Sequence, residues 1–433
     1  MADNGEQKCV IQSILDTDLY KITMQAAVLK HFPNVKVIYK YTNRSPQFTF
    51  NKASIDWLNI QFKLLETIQV TPDEIKYLKD KVPYLPDSFM KYIGQKDFRL
   101  RPSEQLDFQY ELVPGTKDEY TLKLFVEGYW KDTIMYEIPL LALISEAYFR
   151  FIDKDWDYEG QEQMAFEKAN TLFEHNCSFT EFGSRRRRSL HGQDLVMQGI
   201  VRASKLSPNN EKLLLGTSNV YFAKKYDILP VGTVAHEWFM GIAALTGDYI
   251  NANKDAMDYW IETFGKEHAG LALTDTFGTD DYLKNFKPPY TDYYFGVRQD
   301  SGDPIEFTEK IAHFYNDELK LPKFSKTICY SDSLNVEKVI KYDEVARKYG
   351  FKATFGIGTS FTNDYRKKSD PAVKSEPLNI VIKLLTVDGK HAIKLSDNLG
   401  KNMGDPETVQ RVKKELGYIE REWEGISEAH RWS

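Results

Sequence analysis

From about Phe173 onward the chain repeats one rhythm: a short apolar run, a few polar or glycine residues, then a helical pattern. The runs are "SFTEFG", "KLLLGTS", "LPVGTVAH", "GLALTDT", "YFGVRQDSGD", "KTICYSD" and "KATFGIGTS". Between several of them lie patterns such as "NVYFAKKY", "NKDAMDYWIETFG" and "NVEKVIKYDEVARKYG". Strand–helix alternation of this kind makes neighbouring strands parallel. Seven such runs fit a closed barrel better than an open sheet. The expected fold is α/β, with an irregular parallel α/β barrel over residues 173–375.

The flanking parts read differently. "SILDTDLYKITMQAAVLKHF" is a loop entering an amphipathic helix, and "VKVIYKYTNR" alternates like a strand. "YTLKLFVEGYW" and "TIMYEIPLLALISEAYFRFI" read as a strand and a buried helix. After the barrel, "NIVIKLLTVDGKHAIKLSD" is two strands around the turn Asp388-Gly389, and the tail is charged and helical. By element type, this hairpin packs against the N-terminal part. Residues 1–172 and 376–433 would then form one discontinuous α+β domain.

A run of four arginines, Arg185 to Arg188, sits in a chain whose net charge is −6. A nucleic-acid binder would show a broad basic face, which that balance does not support. The run could face a nucleic acid, an import receptor, a phosphorylated substrate or surface carboxylates. No stretch approaches 18 apolar residues, so no membrane span is expected. Cys9, Cys177 and Cys329 form neither a redox pair nor a zinc spacing. With no secretory leader pattern at the start, the chain is expected to be cytoplasmic, with the nucleus left open.

In a parallel barrel the C-terminal strand ends share one mouth, where active sites of that fold are built. Here those ends carry Glu181, Gly183 and Arg185; Gly216, Thr217 and Ser218; Thr233 and His236; Asp275 and Thr276. Further on they carry Arg298, Asp300, Ser301, Gly302 and Asp303; Ser331, Asp332 and Ser333; and Gly356, Gly358, Thr359 and Ser360. Turn chemistry accounts for many of these residues. It does not account for two arginines and a histidine. The glycine-rich "GIGTS" offers backbone N–H groups to a phosphate. Arg298 and Asp300 are two residues apart and share one strand face. Arginine suits a carboxylate or phosphate, and the acids suit ribose hydroxyls or a Mg²⁺ carrying pyrophosphate. Glu237 would point away from His236 along an extended chain. These residues alone reach a barrel enzyme for phosphorylated, anionic substrates.

Seven motifs in order, "DTDLYKITM", "EFGSRRRRS", "LLLGTSN", "GTVAHEW", "GVRQDSGDP", "YSDSLN" and "GIGTS", resemble those of nicotinate phosphoribosyltransferases, most closely fungal ones. The resemblance covers nearly the whole chain and implies a type II phosphoribosyltransferase-like fold. It implies transfer of a phosphoribosyl group from phosphoribosyl pyrophosphate to nicotinate, coupled to ATP hydrolysis through a phosphorylated His236. It also implies that Tyr20 and Phe182 stack on the pyridine ring, with Tyr20 from its own or a neighbouring subunit. Arg185, Ser218, Thr233 and Arg298 would contact nicotinate. Gly356, Gly358, Thr359 and Ser360 would hold the phosphoribosyl phosphate, and Asp300 ribose or Mg²⁺. Mg²⁺ and ATP are the expected cofactor and co-substrate. A homodimer with a shared site is expected, with a monomer as the alternative. Neither nucleic acid nor membrane is an expected partner.

Three rival readings are weighed. Nicotinamide-using relatives carry an aspartate at the position of Ser218, which would accept an amide N–H₂ and repel a carboxylate. Quinolinate phosphoribosyltransferases share a related barrel but are much shorter. A nucleic-acid-binding or nuclear-imported protein would use the arginine run as its signal.

Overall fold

The computed structural model describes residues 8–398 and 401–420. The strands are β1 (Lys36–Asn43), β2 (Leu106–Leu112), β3 (Tyr120–Tyr129), β4 (Phe179–Glu181), β5 (Leu214–Thr217), β6 (Leu271–Leu273) and β7 (Gly296–Gln299). They continue with β8 (Thr327–Tyr330), β9 (Lys352–Ile357), β10 (Tyr365–Arg366), β11 (Lys374–Ser375), β12 (Ile380–Val387) and β13 (Lys390–His391). They form two large sheets and one small hairpin, β10–β11.

The first sheet has the order β13-β12-β1-β3-β2 and is antiparallel throughout. Its central strand β1 buries Val37, Tyr39 and Tyr41 on alternate positions, as a strand with one covered face does. The tight turn at Asp388 and Gly389, with φ of 44° and 77°, joins β12 to β13. Residues from the far end of the chain thus complete the N-terminal sheet. The helix Glu137–Phe151 packs on β12 and is buried from Glu137 to Phe149.

The second sheet is parallel, with the order β5-β4-β9-β8-β7-β6. Strands β4, β6 and β8 are buried along their whole length, which explains their short unbroken apolar runs. This is the irregular parallel α/β barrel expected from the alternation. One of the seven runs differs. "LPVGTVAH" is not a strand and touches the ladder only by a bridge between Pro230 and Thr217. Gly216 explains the close approach there: a Cβ on it would lie 2.0 Å from the Leu229 carbonyl oxygen. The regular ladder therefore stops between β5 and β6.

Two further expectations change. The helix Leu19–His31 is not amphipathic, since it is buried from Leu19 to Val28 apart from Tyr20, with Lys21 inside. His236 does not continue an extended run; it opens the helix His236–Thr246. The charged tail is helical over Pro406–Leu416, and residues 421–433 lie outside the described residues. Among the described residues no helix is long and apolar enough to cross a membrane.

Candidate active site

A cavity of about 310 Å³ opens at the C-terminal ends of the parallel strands. Tyr20, Phe182, Arg185, Ser218, Thr233, Arg298, Gly356, Gly358, Thr359 and Ser360 all line it. They come from the first helix and from the ends of β4, β5, β7 and β9, together with the irregular run near Thr233. Gly356 sets the position of Phe182, because a Cβ there would lie 2.4 Å from that ring. Tyr20 reaches the cavity from its own chain.

His236 and Asp300 line a smaller adjoining cavity of about 50 Å³, shared with Tyr20, Arg185 and Arg298. Arg298 joins the two spaces. Its Nε donates to Ser331 at 2.8 Å, Nη1 to Thr233 at 2.8 Å and Nη2 to Asp300 at 2.9 Å. A guanidinium has five N–H groups, so two remain for an anion. His236 Nε2 is 2.9 Å from Asp300 Oδ2 and 3.0 Å from Lys394 Nζ, while Nδ1 is 3.1 Å from Thr276 Oγ1. Burial, with Lys394 adding to it, pushes the imidazole down to about 4, so the ring is neutral at pH 7. Burial raises the Asp300 carboxyl, but Arg298 and His236 outweigh it and hold it well below the usual range.

The arginine run turns four ways, because Ser184–Arg186 form a 3₁₀ turn and not an extended strand. Arg185 faces the cavity with Glu137 at 3.5 Å. Arg186 also lines the cavity and donates to Asn379 and the Ile380 carbonyl. Arg187 is fully buried and forms a two-pronged pair with Asp16, both bonds 2.7 Å. Arg188 is fully buried, with its guanidinium 3.6 Å from the Phe149 ring centre. A run with half its cations buried is not an exposed basic signal.

The comparisons with known proteins fit this geometry. The model of the nicotinate phosphoribosyltransferase N-terminal domain matches residues 15–145, and that of the nicotinate phosphoribosyltransferase family matches residues 177–420. The chain belongs to this nicotinate phosphoribosyltransferase family. A curated nicotinate phosphoribosyltransferase from Saccharomyces cerevisiae is 64% identical over 425 residues, covering 98% of this chain and 99% of the relative. A solved structure from the same yeast superposes with a TM-score of 0.95 at 64% identity, covering 96% of this chain and 100% of that one. The Porphyromonas gingivalis nicotinate phosphoribosyltransferase structure superposes with a TM-score of 0.84 at 33% identity, covering 94% and 100%.

Several residues of this family member's site escaped the sequence reading. Asp18 and Lys338 line the main cavity, and Lys383 the smaller one. Lys383 and Lys394 come from the C-terminal hairpin, where a lysine inside "VIKLL" or "AIKLS" is the one signal that marked them. Burial, helped by Arg185 and Lys394 against Glu137, pushes Lys383 down to about 7. Glu237 does point away from His236, for a helical reason. It accepts from Lys21, Tyr39 and Trp130, and Lys21 also lies 2.6 Å from Glu137.

His236, Asp275 and Asp300 bring ligand atoms within 4.8 Å of one another. Asp275 Oδ1 has no hydrogen-bond partner among the described residues. Yet Lys394 Nζ lies 3.5 Å from Asp275 Oδ2, so a cation already sits on the inner side. Asp300 also holds a cation, Arg298 at 2.9 Å, but it is partly exposed and lines the smaller cavity, so a Mg²⁺ arriving with pyrophosphate would meet Asp300 and not Asp275.

Proposed function

We propose that this chain joins nicotinate to the ribosyl carbon of phosphoribosyl pyrophosphate, releasing pyrophosphate, and that His236 couples ATP hydrolysis to that step. The observation that carries the reading is the single cavity lined by the ten residues named above, with His236 and Asp300 in its annex. Tyr20 and Phe182 would clamp the pyridine ring. Arg298, with two N–H groups unclaimed, would hold the carboxylate in the plane of its fork. The backbone at Gly358, Thr359 and Ser360 would hold the phosphoribosyl phosphate.

Loss of pyrophosphate leaves positive charge on the ribosyl carbon. Catalysis then rests on a stabilised leaving group and an in-line nucleophile, the pyridine nitrogen, which is already unprotonated at pH 7. Arg185 and Arg298 would place cations toward that departing charge, with Lys383 beside them in the smaller cavity. Asp300 would hold Mg²⁺, which would neutralise pyrophosphate oxygens. The neutral imidazole of His236 has a lone pair for the γ-phosphoryl of ATP. ADP leaves, and water later takes the phosphoryl group from the histidine.

The burial of Arg187 and Arg188 argues against nucleic acid as a partner. Incubation with nicotinate, phosphoribosyl pyrophosphate and Mg²⁺, with and without ATP, should yield nicotinate mononucleotide, faster with ATP. No mononucleotide under either condition would refute the reading.

A further inference from the structure

One wall of the main cavity carries a carboxyl group that an acid substrate should avoid. Asp18 is buried, lines the cavity and accepts on Oδ1 from Ser184 and from Ser218, each at 2.8 Å. Its Oδ2 has no hydrogen-bond partner among the described residues. Both serine protons point at Asp18. This wall therefore has no hydroxyl proton for an incoming carboxylate unless Asp18 carries one. Two carboxylates in direct contact cannot both stay ionised.

We propose that Asp18 takes up one proton from solvent as nicotinate binds and donates it through Oδ2 to the substrate carboxylate. The proton returns to solvent when the mononucleotide leaves. This deepens the activity proposed above and rests on it, because Asp18 and its bonded neighbour Ser218 line the same cavity as Arg298, to which that reading gives the substrate carboxylate. An ionised Asp18 would instead accept from an amide N–H₂. The choice between acid and amide is therefore set by the protonation of one residue.

The surroundings favour uptake. Burial raises the Asp18 carboxyl, and Glu137 adds to it against the two serines and Arg185. Tyr20 is neutral beside it, held well above its ordinary value by burial. On the β4 side, burial pushes Glu181 up to about 7, with Asp18 adding to the rise. Asp16 is already paired with Arg187 and reaches Asp18 indirectly, through Asn219 and Ser184. No cation makes a hydrogen bond to Asp18 among the described residues.

Calorimetric titration of the full-length protein with nicotinate, in two buffers of different ionisation enthalpy, counts the protons. Uptake should approach one per site on the alkaline side and fade at acid pH, with none for nicotinamide. The ratio of kcat/KM for nicotinate to that for nicotinamide should fall about tenfold per pH unit above the free-enzyme value of Asp18. In Asp18→Asn the amide N–H₂ can donate at any pH, so this slope should flatten. Turnover of nicotinate with zero uptake from about pH 6 to 9 would overturn the proposal, whether or not the variant folds. So would a slope unchanged in Asp18→Asn. Absence of nicotinate mononucleotide at every pH would instead overturn the activity itself.

Discussion

His236 and Asp300 are joined by a 2.9 Å contact between Nε2 and Oδ2, and Arg298 holds the other oxygen of the same carboxylate at 2.9 Å. The candidate phosphoryl acceptor and the candidate nicotinate clamp thus share one carboxylate. A change of charge on the histidine reaches the pyridine side through Asp300 without any contact with the pyridine.

His236→Ala should abolish nicotinate-linked ATP hydrolysis and leave slow mononucleotide formation at high substrate. Because the imidazole is held down to about 4, the neutral form is complete well below neutrality. Coupled ATP hydrolysis should therefore show no inflection near the free imidazole value of about 6.5. Phosphate release assays across pH check both points, and unchanged hydrolysis in the variant would remove His236 from the coupling.

Arg298→Lys keeps the charge and loses a fork that spans Thr233, Ser331 and Asp300. It should cost on the order of 10² in kcat/KM for nicotinate, close to the loss in Arg298→Ala. Steady-state kinetics on both variants is the check. A lysine variant that matches the parent would reduce Arg298 to a structural charge.

Ser218→Asp would place a second carboxyl against Asp18, where a serine proton now sits. The new carboxylate and that of nicotinate, about 4 Å apart, would repel by about 4 kcal/mol at an effective dielectric of 20. The variant should lose on the order of 10²–10³ in kcat/KM for nicotinate and gain activity with nicotinamide. The cap of the helix Val220–Tyr226 is Asn219, so a capping role for Ser218 does not compete with this expectation. An unchanged ratio between the two pyridines would contradict it.

Within the arginine run, Arg187→Met should be far more destabilising than Arg186→Met. Removing Arg187 leaves Asp16 buried without its charge partner, a loss of about 3–5 kcal/mol. Arg186 donates to Asn379 and the Ile380 carbonyl at the cavity edge and leaves no buried charge behind, so its loss should cost less and act mainly on KM. Urea midpoints of the two variants should separate clearly, and coincident midpoints would refute the assignment.

Much of this was legible because parallel strands write short apolar runs and end in the polar residues that face the mouth. Arg298 and Thr359 line the cavity as read, whereas Glu181, read the same way, is fully buried and lines neither cavity. The run "LPVGTVAH" looked the same and is not a strand, since apolarity reports burial and not hydrogen-bond pairing. The first helix misled for a related reason: Lys21 reads as a solvated residue, and only tertiary contact shows it between Glu137 and Glu237. Lys383 and Lys394 were out of reach because they come from a hairpin that returns to the site after residue 379, and spacing along the chain carries no trace of that return.

The most direct test places nicotinate and nicotinamide together, at equal concentration, with phosphoribosyl pyrophosphate, Mg²⁺, ATP and the purified chain. Chromatographic separation of the two mononucleotides reads the outcome. The account predicts nicotinate mononucleotide as the dominant product near neutral pH, with pyrophosphate released in equal amount. Dominant nicotinamide mononucleotide, or neither product, would contradict it.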